Sequence, residues 1–479
     1  MQCSVVSYLK LKEHGDWRWD SEYFCNEPHY NKNLFYQPIG QIIVSSQYGI
    51  SIDMNEDGEG TKIYRMNEIS DMFCDRTISK YANIPPSQIN KFKLRNNDAL
   101  FNRTNSQEFV GRTGIFRKFT DEAIVFASYL IRVKTNEEEV FPEYLTAFLN
   151  TKYGMQDAKR RARISINQSN INAEELKRIM IPILKKPIQE IIRNLFDLSF
   201  TLINKSETFY QQAEQIILSE LGLLDWQPQH MLSFIRNYSE TQSSGRIDAE
   251  YYQPVYDEII EKVKHYKNGY ETINGCMKIK DKNFIPIADT IYKYIELANI
   301  SANGHINGFI EAEGKELPTR ARFKVKTGDV IVSSIEGALS SIALINAQLN
   351  NALCSTGFFV VKSYSINSET LLVLLKSPVG QLQLKKGCSG TILTAISKDE
   401  FKRIVLPKID LSVQKSIKIN IDEMYNTKKR SLHLLEIAKR GVEMAIEMDE
   451  KTARNWMESE IKGLDSSLRW NGDKLDSVS

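Results

Sequence analysis

One stretch of this chain occurs twice, and the recurrence limits the folds open to it more than any other feature. Leu176-Lys177-Arg178-Ile179-Met180-Ile181-Pro182-Ile183 leads into a long amphipathic segment that begins near Pro187 and Gln189. Phe401-Lys402-Arg403-Ile404-Val405-Leu406-Pro407-Lys408 leads into a second such segment through Val413 and Gln414. Lys-Arg-Ile, the Pro and the Gln keep the same offset in both. A repeat of this size predicts a protein built from two similar halves.

A second motif recurs at nearly the same offset. Trp17-Arg18-Trp19-Asp20-Ser21-Glu22-Tyr23-Phe24 opens the first half and Gly245-Arg246-Ile247-Asp248-Ala249-Glu250-Tyr251-Tyr252 opens the second. Both read R-x-D-x-E-Y-aromatic. One copy alone reads as a charged turn followed by a packed aromatic pair. Two copies at matched positions mark an equivalent element in each half.

Between these motifs each half reads as mixed α/β. In the first, Ile39 to Ser46, Ile63 to Ile69, Ala99 to Phe101, Ala123 to Phe126 and Tyr129 to Val133 have strand composition. Gly58-Glu59-Gly60 signals a turn. Pro142 to Leu149, carried on through Tyr153, has helical spacing. The second half repeats the order with Ile291 to Ile300, Asp329 to Val332, Phe358 to Val361 and Leu371 to Gly380.

Each half then ends in a long helix. The first places Ile191, Ile192, Leu195, Leu198, Leu202, Phe209, Ala213, Ile216 and Ile217 close to a heptad seam, with Gly222 as a stop signal. The second places Val413, Ile417, Ile421, Met424, Leu432, Leu435, Ala438, Val442 and Ala445 on a similar face. Helices of about 30 residues span roughly 45–50 Å. They have few ways to bury such a stripe within their own half, so the pattern predicts that they pair, antiparallel, under a pseudo-twofold relation. The expected fold class is α+β, with two similar mixed α/β domains separated by the two helices. The expected organisation is 1–185 for the N-terminal segment and first domain, 186–225 for the first helix and 226–245 for a linker. The second domain follows at 246–409, the second helix at 410–448 and a C-terminal tail at 449–479, to which no motif assigns a role.

The chain has 479 residues, 42% apolar and 25% charged, with a net charge of +2. Nucleic-acid binding would therefore need local patches, since the whole chain is no polycation. Six scattered Cys without a C-x-x-C pair point away from a zinc site or a disulfide framework and toward a reducing compartment. No apolar run approaches the roughly 18 residues of a membrane span, and Met1 to Trp17 lack the pattern of a signal peptide. A cytoplasmic protein is expected.

The chain resembles the specificity subunit of type I restriction–modification systems from Arg18 to about Ile446. The duplicated R-x-D-x-E-Y-aromatic carries the resemblance, with Asp98-Ala99-Leu100-Phe101-Asn102-Arg103-Thr104 running on to Val110-Gly111-Arg112. Tyr144-Leu145 through Asn150 and Gly154, and Ile171-Asn172 through Ile181-Pro182 to the Gln-containing helix start, complete it. The second half departs from the first at Ser333-Ser334, facing Asn102-Arg103, and at Ser389-Gly390-Thr391, facing Ile164-Ser165-Ile166. The resemblance implies two target-recognition domains, each reading one half of a split, asymmetric site on double-stranded DNA. It also implies two methyltransferase subunits that carry S-adenosylmethionine, and restriction subunits that use ATP and Mg. None of these cofactors is expected on this chain. With the helices as a ruler, half-sites about one helical turn apart, roughly 34 Å, would present one face of the duplex. A specificity subunit of a related system, whose partner fuses methylase and nuclease, fits the same residues. A coiled-coil scaffold with no DNA role is the other non-enzymatic reading.

A DNA reader needs cations for phosphates and polar groups held at base edges. From Lys80 to Lys118 there are eight Lys/Arg against Asp98 and Glu108. This stretch offers Lys80, Lys93, Asn102, Arg103, Thr104, Asn105 and Arg112 as candidates; Arg suits guanine and Asn suits adenine. Arg161 and Arg163, in a basic helix end, lead to Asn167 and Gln168. In the second half Arg320, Arg322 and Lys324 alternate, so that a strand would put them on one face. Ser333, Ser334, Lys385, Lys386, Ser389 and Thr391 complete the set. For each residue the plain alternative is a solvated basic face, a cation suited to a helix C-terminus, or a turn. Arg103→Ala is expected to weaken or relax recognition of one half-site only.

Catalytic signals are absent from the sequence. It has no G-x-x-x-x-G-K-[ST] and no N-P-P-[YF] or D-P-P-[YF]; Ile84-Pro85-Pro86-Ser87 lacks both the polar residue and the aromatic. Asp289 with Glu313-x-Lys315 lacks the Pro-Asp dipeptide of a nuclease and has no counterpart in the first half. The six His show no metal spacing. A stand-alone DNA-modifying enzyme is therefore disfavoured.

Overall fold

The computed structural model describes residues 6, 8, 20–28, 30–166, 168–280, 282–301, 303–390, 394–464, 468–470 and 475–477. The chain divides into two compact units. Unit 1 comprises Met1–Ile203 and Lys428–Ser479, and unit 2 comprises Asn204–Thr427. Both mix helix and sheet. The long helices Lys186–Glu220 and Leu411–Glu447 each contribute one part to unit 1 and the other to unit 2.

In unit 1 a six-stranded sheet runs Ile43–Tyr48, Leu130–Thr135, Ala99–Asn102, Thr113–Ile115, Phe73–Cys74, Ile69–Ser70. The segment expected as one strand from Ile39 opens instead with a helical turn, Ile39–Ile42. Its Ile39 and Ile42 are buried, which turns two consecutive apolar positions to one side. The expected helix through Tyr153 is two helices, Pro142–Leu149 and Lys152–Arg161. Thr151 breaks it: its hydroxyl donates back to the Phe148 carbonyl and accepts from the Gly154 N–H, capping the second helix. In unit 2 the analogous helical stretch is split at Ser377 into Ser368–Lys376 and Pro378–Lys386. A four-stranded sheet of Met277–Ile279, Phe358–Ser363, Val330–Ser333 and Ile342–Leu344 packs against them. A second sheet orders Ile310–Glu313, Ile291–Ile295, Leu353–Ser355 and Ala321–Lys324.

The long helices pair antiparallel within each unit. In unit 1 the Ser199 hydroxyl donates to the Ser431 carbonyl at 3.1 Å; in unit 2 the Ser206 hydroxyl donates to the Met424 carbonyl at 2.8 Å. Numbers fall along one helix as they rise along the other. Ile191, Ile192 and Leu195 pack with Leu435, Ala438 and Val442 in unit 1, and Ala213 and Ile217 with Ile417, Ile421 and Met424 in unit 2. The sequence seam placed Leu432 at the contact. The structure puts Ser431 there and leaves Leu432 half-buried. A small residue lets the backbones approach, and its hydroxyl is satisfied across the pair. Gly222, at φ +63°, ends the first helix in the left-handed conformation. The tail helix Glu450–Leu464 buries Ala453, Met457 and Ile461 in the unit 1 core.

The duplicated Gln has one job in each unit. Gln189, fully buried, accepts from the Phe141 N–H and donates to the Glu139 and Leu184 carbonyls. Gln414 accepts from the Asn367 N–H and donates to the Ser365 and Ile409 carbonyls. Each fastens the first turns of a long helix to the loop before a domain helix. The duplicated Pro lies in a two-stranded ribbon in both units, Tyr36 opposite Pro182 and Tyr270 opposite Pro407. Lys177, Arg178, Lys402 and Arg403 pair with Glu174, Glu175, Asp399 and Glu400.

One hairpin joins the unit 1 sheet to the long helices. Asp71 and Met72, at φ 47° and 59°, turn strand Ile69–Ser70 into Phe73–Cys74. Phe73 stands edge-on to Phe196, and Asp71 pairs with Lys428 at 3.3 Å. Beyond the turn, burial raises the Asp75 carboxyl to about 6, against the hydrogen bond from Ser70 and the charge of Lys428. A raised carboxyl favours the folded state when protonated. Its contribution is present below the ordinary value near 3.8 and lost as pH rises through 6. Asp75→Asn keeps the acceptor for Ser70. It is expected to stabilise unit 1 by about 3 kcal/mol at pH 7 and to flatten the stability slope between pH 4 and 6. Urea titrations across that range read both effects; an unchanged slope refutes the assignment.

Candidate nucleic-acid interface

The basic helix ends are paired with acids in both units, buried in unit 1 and partly exposed in unit 2. Arg160 and Arg161 close the helix Lys152–Arg161, and both are buried. Their Nε atoms donate to one oxygen of the buried Asp157, at 2.6 and 2.9 Å. Arg161 also reaches Glu175, and Arg160 donates to the Tyr23 carbonyl and lies 4.6 Å over the Tyr23 ring. Burial penalises the Arg161 charge, and Asp157 more than restores it, so that its pKa stands above the ordinary range.

Unit 2 repeats the arrangement with other residues. Lys385 pairs with Glu250, and Lys386 pairs with Asp257 and lies 5.2 Å from the Tyr251 ring. Arg246 pairs with Asp248, covers Tyr251 at 4.4 Å and donates to the Cys388 carbonyl. In both units the basic helix end therefore docks the aromatic pair of an R-x-D-x-E-Y-aromatic motif. Arg18 itself lies outside the described residues. Arg161, Lys385 and Lys386, read from sequence as DNA candidates, are engaged in this docking. Arg161's first acidic partner, Asp157, lies one turn back on its own helix; Glu175, Glu250 and Asp257 come from other elements, and composition cannot show them.

The Asn102-Arg103-Thr104 segment is also turned inward. Asn102 is fully buried and donates to the Met66 carbonyl. Arg103 donates to the Ser128 carbonyl at 3.1 Å and to the Asn170 side chain at 3.0 Å, and it lies over Tyr48 at 4.9 Å. The buried Thr104 hydroxyl accepts from the Asn170 amide. Asn105 accepts from the Ser106 N–H. Of the other first-unit candidates, Lys80 pairs with Glu56. Lys93 and Arg112 are exposed, with Arg112 over the Phe109 ring at 4.0 Å.

What this segment supports is a projecting ribbon. Strand Arg163–Ser165 pairs with Gln168–Asn170, which pairs in turn with Thr104–Asn105. Arg163, Ile164, Ser165, Ile166 and Gln168 are all exposed, so neither face of the outer strand is covered. Asn167 lies outside the described residues. The sequence offered Arg163 and Gln168 but not the two isoleucines. Their alternation with Ser165 in a polar stretch was the available signal.

In unit 2, Arg320 pairs with Glu296 at 2.7 Å and Arg322 donates to the Thr319 carbonyl. Lys324 is exposed, 5.0 Å from the Phe284 ring. Ser333 is buried and accepts from the Ile335 N–H; Ser334 donates to the Gly357 carbonyl. Ser389 is exposed, in strand Cys388–Ser389 paired with Ala395–Ile396, and Gly390 after it has a φ of 128°. Thr391 lies outside the described residues. Lys315 is occupied by Glu313 and Asp289. Among the described residues no group of three His, Cys, Asp or Glu is placed to hold a metal ion, and no helix is long and apolar enough to cross a membrane.

No family model matches the chain. Two curated proteins do. One is the putative type I restriction enzyme MjaX specificity subunit of Methanocaldococcus jannaschii, 29% identical over 178 residues, 36% of this chain and 41% of that protein. The other is the type I restriction enzyme EcoKI specificity subunit of Escherichia coli K12, 26% identical over 157 residues, 32% of this chain and 33% of that protein. The chain thus matches less than half the length of these relatives. Among solved structures, the type I restriction–modification S subunit from M. genitalium aligns over 92% of this chain and 100% of its own, at 12% identity and a TM-score of 0.31. The HsdS subunit from Thermoanaerobacter tengcongensis aligns over 88% and 98%, at 12% identity and 0.29. The sequence relatives are type I restriction specificity subunits, the family that the duplicated motifs resemble.

Proposed function

We propose that this chain is a non-catalytic DNA-recognition subunit of a type I restriction–modification complex. In this reading it is an internal duplication under a pseudo-twofold relation. Residues of about 22–182 read one half of a bipartite, asymmetric site, and residues of about 250–407 read the other. Methyltransferase subunits carrying S-adenosylmethionine modify adenine in the site, and restriction subunits using ATP and Mg cut DNA that lacks the mark. The observation that carries the reading is the matched anchoring of the two domains. Gln189 and Gln414 tie domain to helix through the same three kinds of hydrogen bond. A basic helix end docks the aromatic motif in both. Two readers of one design, each on its own helix, suit a target in two parts, and relatives named as type I specificity subunits match the chain.

The test is a domain exchange. A relative's second domain, joined near Glu250 and Pro407, is introduced with the partner genes, and methylated adenines are mapped by long-read sequencing. The expected result is a target changed in one half and kept in the other. A target changed throughout, or binding of S-adenosylmethionine by the isolated chain, overturns the proposal.

A further inference from the structure

Within the proposed DNA-reading role, on which this inference rests, the buried Asn102 leaves open which side chains of unit 1 meet the bases. We propose that the paired strands Arg163–Ser165 and Gln168–Asn170 are its base-reading element, with Ile164 and Ile166 as apolar base contacts and Arg103 as the positioning residue behind them.

Exposure is the first observation. Ile164 is 55% exposed and Ile166 92%. Ile164 on the outer strand and Ile166 in the turn after it flank a polar residue and leave most of their surface outside the core. Apolar side chains displayed in this way mark a contact surface.

Rigidity is the second. The inner strand is fastened from behind: Ser169 is buried, Asn170 receives Arg103 and donates to Thr104, and the Ile171 N–H donates to the Arg103 carbonyl at 2.8 Å. Arg103 is itself held by the Ser128 carbonyl and by Tyr48. A base reader must be held to register before its contacts discriminate.

Charge and shape select the occupant. From Ala158 to Asn172 the chain has four Lys/Arg and no Asp or Glu. Arg160 and Arg161 are buried; Arg163 is exposed next to Ile164 on the outer strand, and Lys159 is half-buried on the helix before it. An acid-free ribbon that displays an Arg suits a phosphate-lined groove, and the major groove of duplex DNA admits a two-stranded ribbon. Within it, isoleucine reads the thymine methyl by apolar contact, while Arg163 supplies a phosphate contact.

The full-length chain, captured on a support, is used to select duplexes from a random library. Wild type is expected to return a bipartite motif. Ile166→Ser and Ile164→Ser are expected to lose about tenfold in preference at one or two thymine positions of one half only, the cost of one mismatched pair. Neither should change the salt dependence of binding or the thermal midpoint. Arg163→Gln is expected to lower the slope of log affinity against log salt by about 1 without relaxing any position. Arg103→Ala should relax the same positions as the isoleucine variants and add nothing when combined with Ile166→Ser, a non-additivity that general destabilisation would not produce. If wild type selects a motif and both isoleucine variants keep it whole, the ribbon is not the reader. If wild type selects no motif, the DNA-reading proposal itself fails.

Discussion

Asp157→Ala is expected to destabilise unit 1 by about 3–5 kcal/mol, the cost of stripping the counter-charge from buried ions. Two buried guanidinium groups share this carboxylate, and its second oxygen accepts from the Met180 N–H at 3.3 Å. Glu175 reaches Arg161 but not Arg160, so among the described residues removing Asp157 leaves Arg160 with the Tyr23 ring and carbonyl. For a body of this size the loss corresponds to a melting midpoint lower by about 10 °C. The damage should be directional. Tyr23 sits on this cluster, so amide exchange near residues 21–25 should accelerate before the central sheet loses protection. Asp157→Asn, which keeps an acceptor oxygen without the charge, should fall between wild type and Ala. A midpoint shift under 2 °C for the Ala variant would show that the two arginines do not depend on this carboxylate.

That cluster also marks where sequence reading stopped. A run of cations is visible in sequence; of the acids that neutralise it Asp157 lies on the same helix, but Glu175 and, in unit 2, Glu250 and Asp257 come from other elements. Arg161, Lys385 and Lys386, offered by the sequence as phosphate contacts, are found paired with acids beside the aromatic motif. The duplicated motif itself was legible, since its spacing survives in one dimension. So were the long helices, whose apolar period survives in Ile191, Leu195, Ile417 and Val442. Ser431 was not. A polar residue on a seam reads as a flaw until the partner helix supplies Ser199. Asn102 illustrates the limit for strands: all four residues of Ala99–Asn102 are buried, so alternation could not tell which side chain faced solvent. The exposed isoleucines posed the converse problem, because an apolar residue in a strand is read as core by default.

The buried glutamines give the second large effect and the sharpest comparison between the units. Gln414→Leu fills the same volume but removes three hydrogen bonds. The Asn367 N–H and the Ser365 and Ile409 carbonyls lose the amide that satisfied them. At about 1–3 kcal/mol for each buried group left unpaired, the expected loss is about 3–6 kcal/mol. Gln414→Glu should be no better, because it sets a carboxylate oxygen against two carbonyls. Gln189→Leu should cost a similar amount through the Phe141 N–H and the Glu139 and Leu184 carbonyls. The two losses should appear in different places. Exchange protection should fall first at 365–367 and 409–414 in one variant, and at 139–141 and 184–189 in the other. The double variant should approach the sum, since the two networks share no residue. If either single variant exposed both regions equally, or if the Leu variants melted within 2 °C of wild type, the glutamines would be fillers of a well-packed joint. The outcome expected instead makes each glutamine the tie between the first turns of its long helix and the loop ahead of a domain helix, a role that the same offset from the Pro serves in both units.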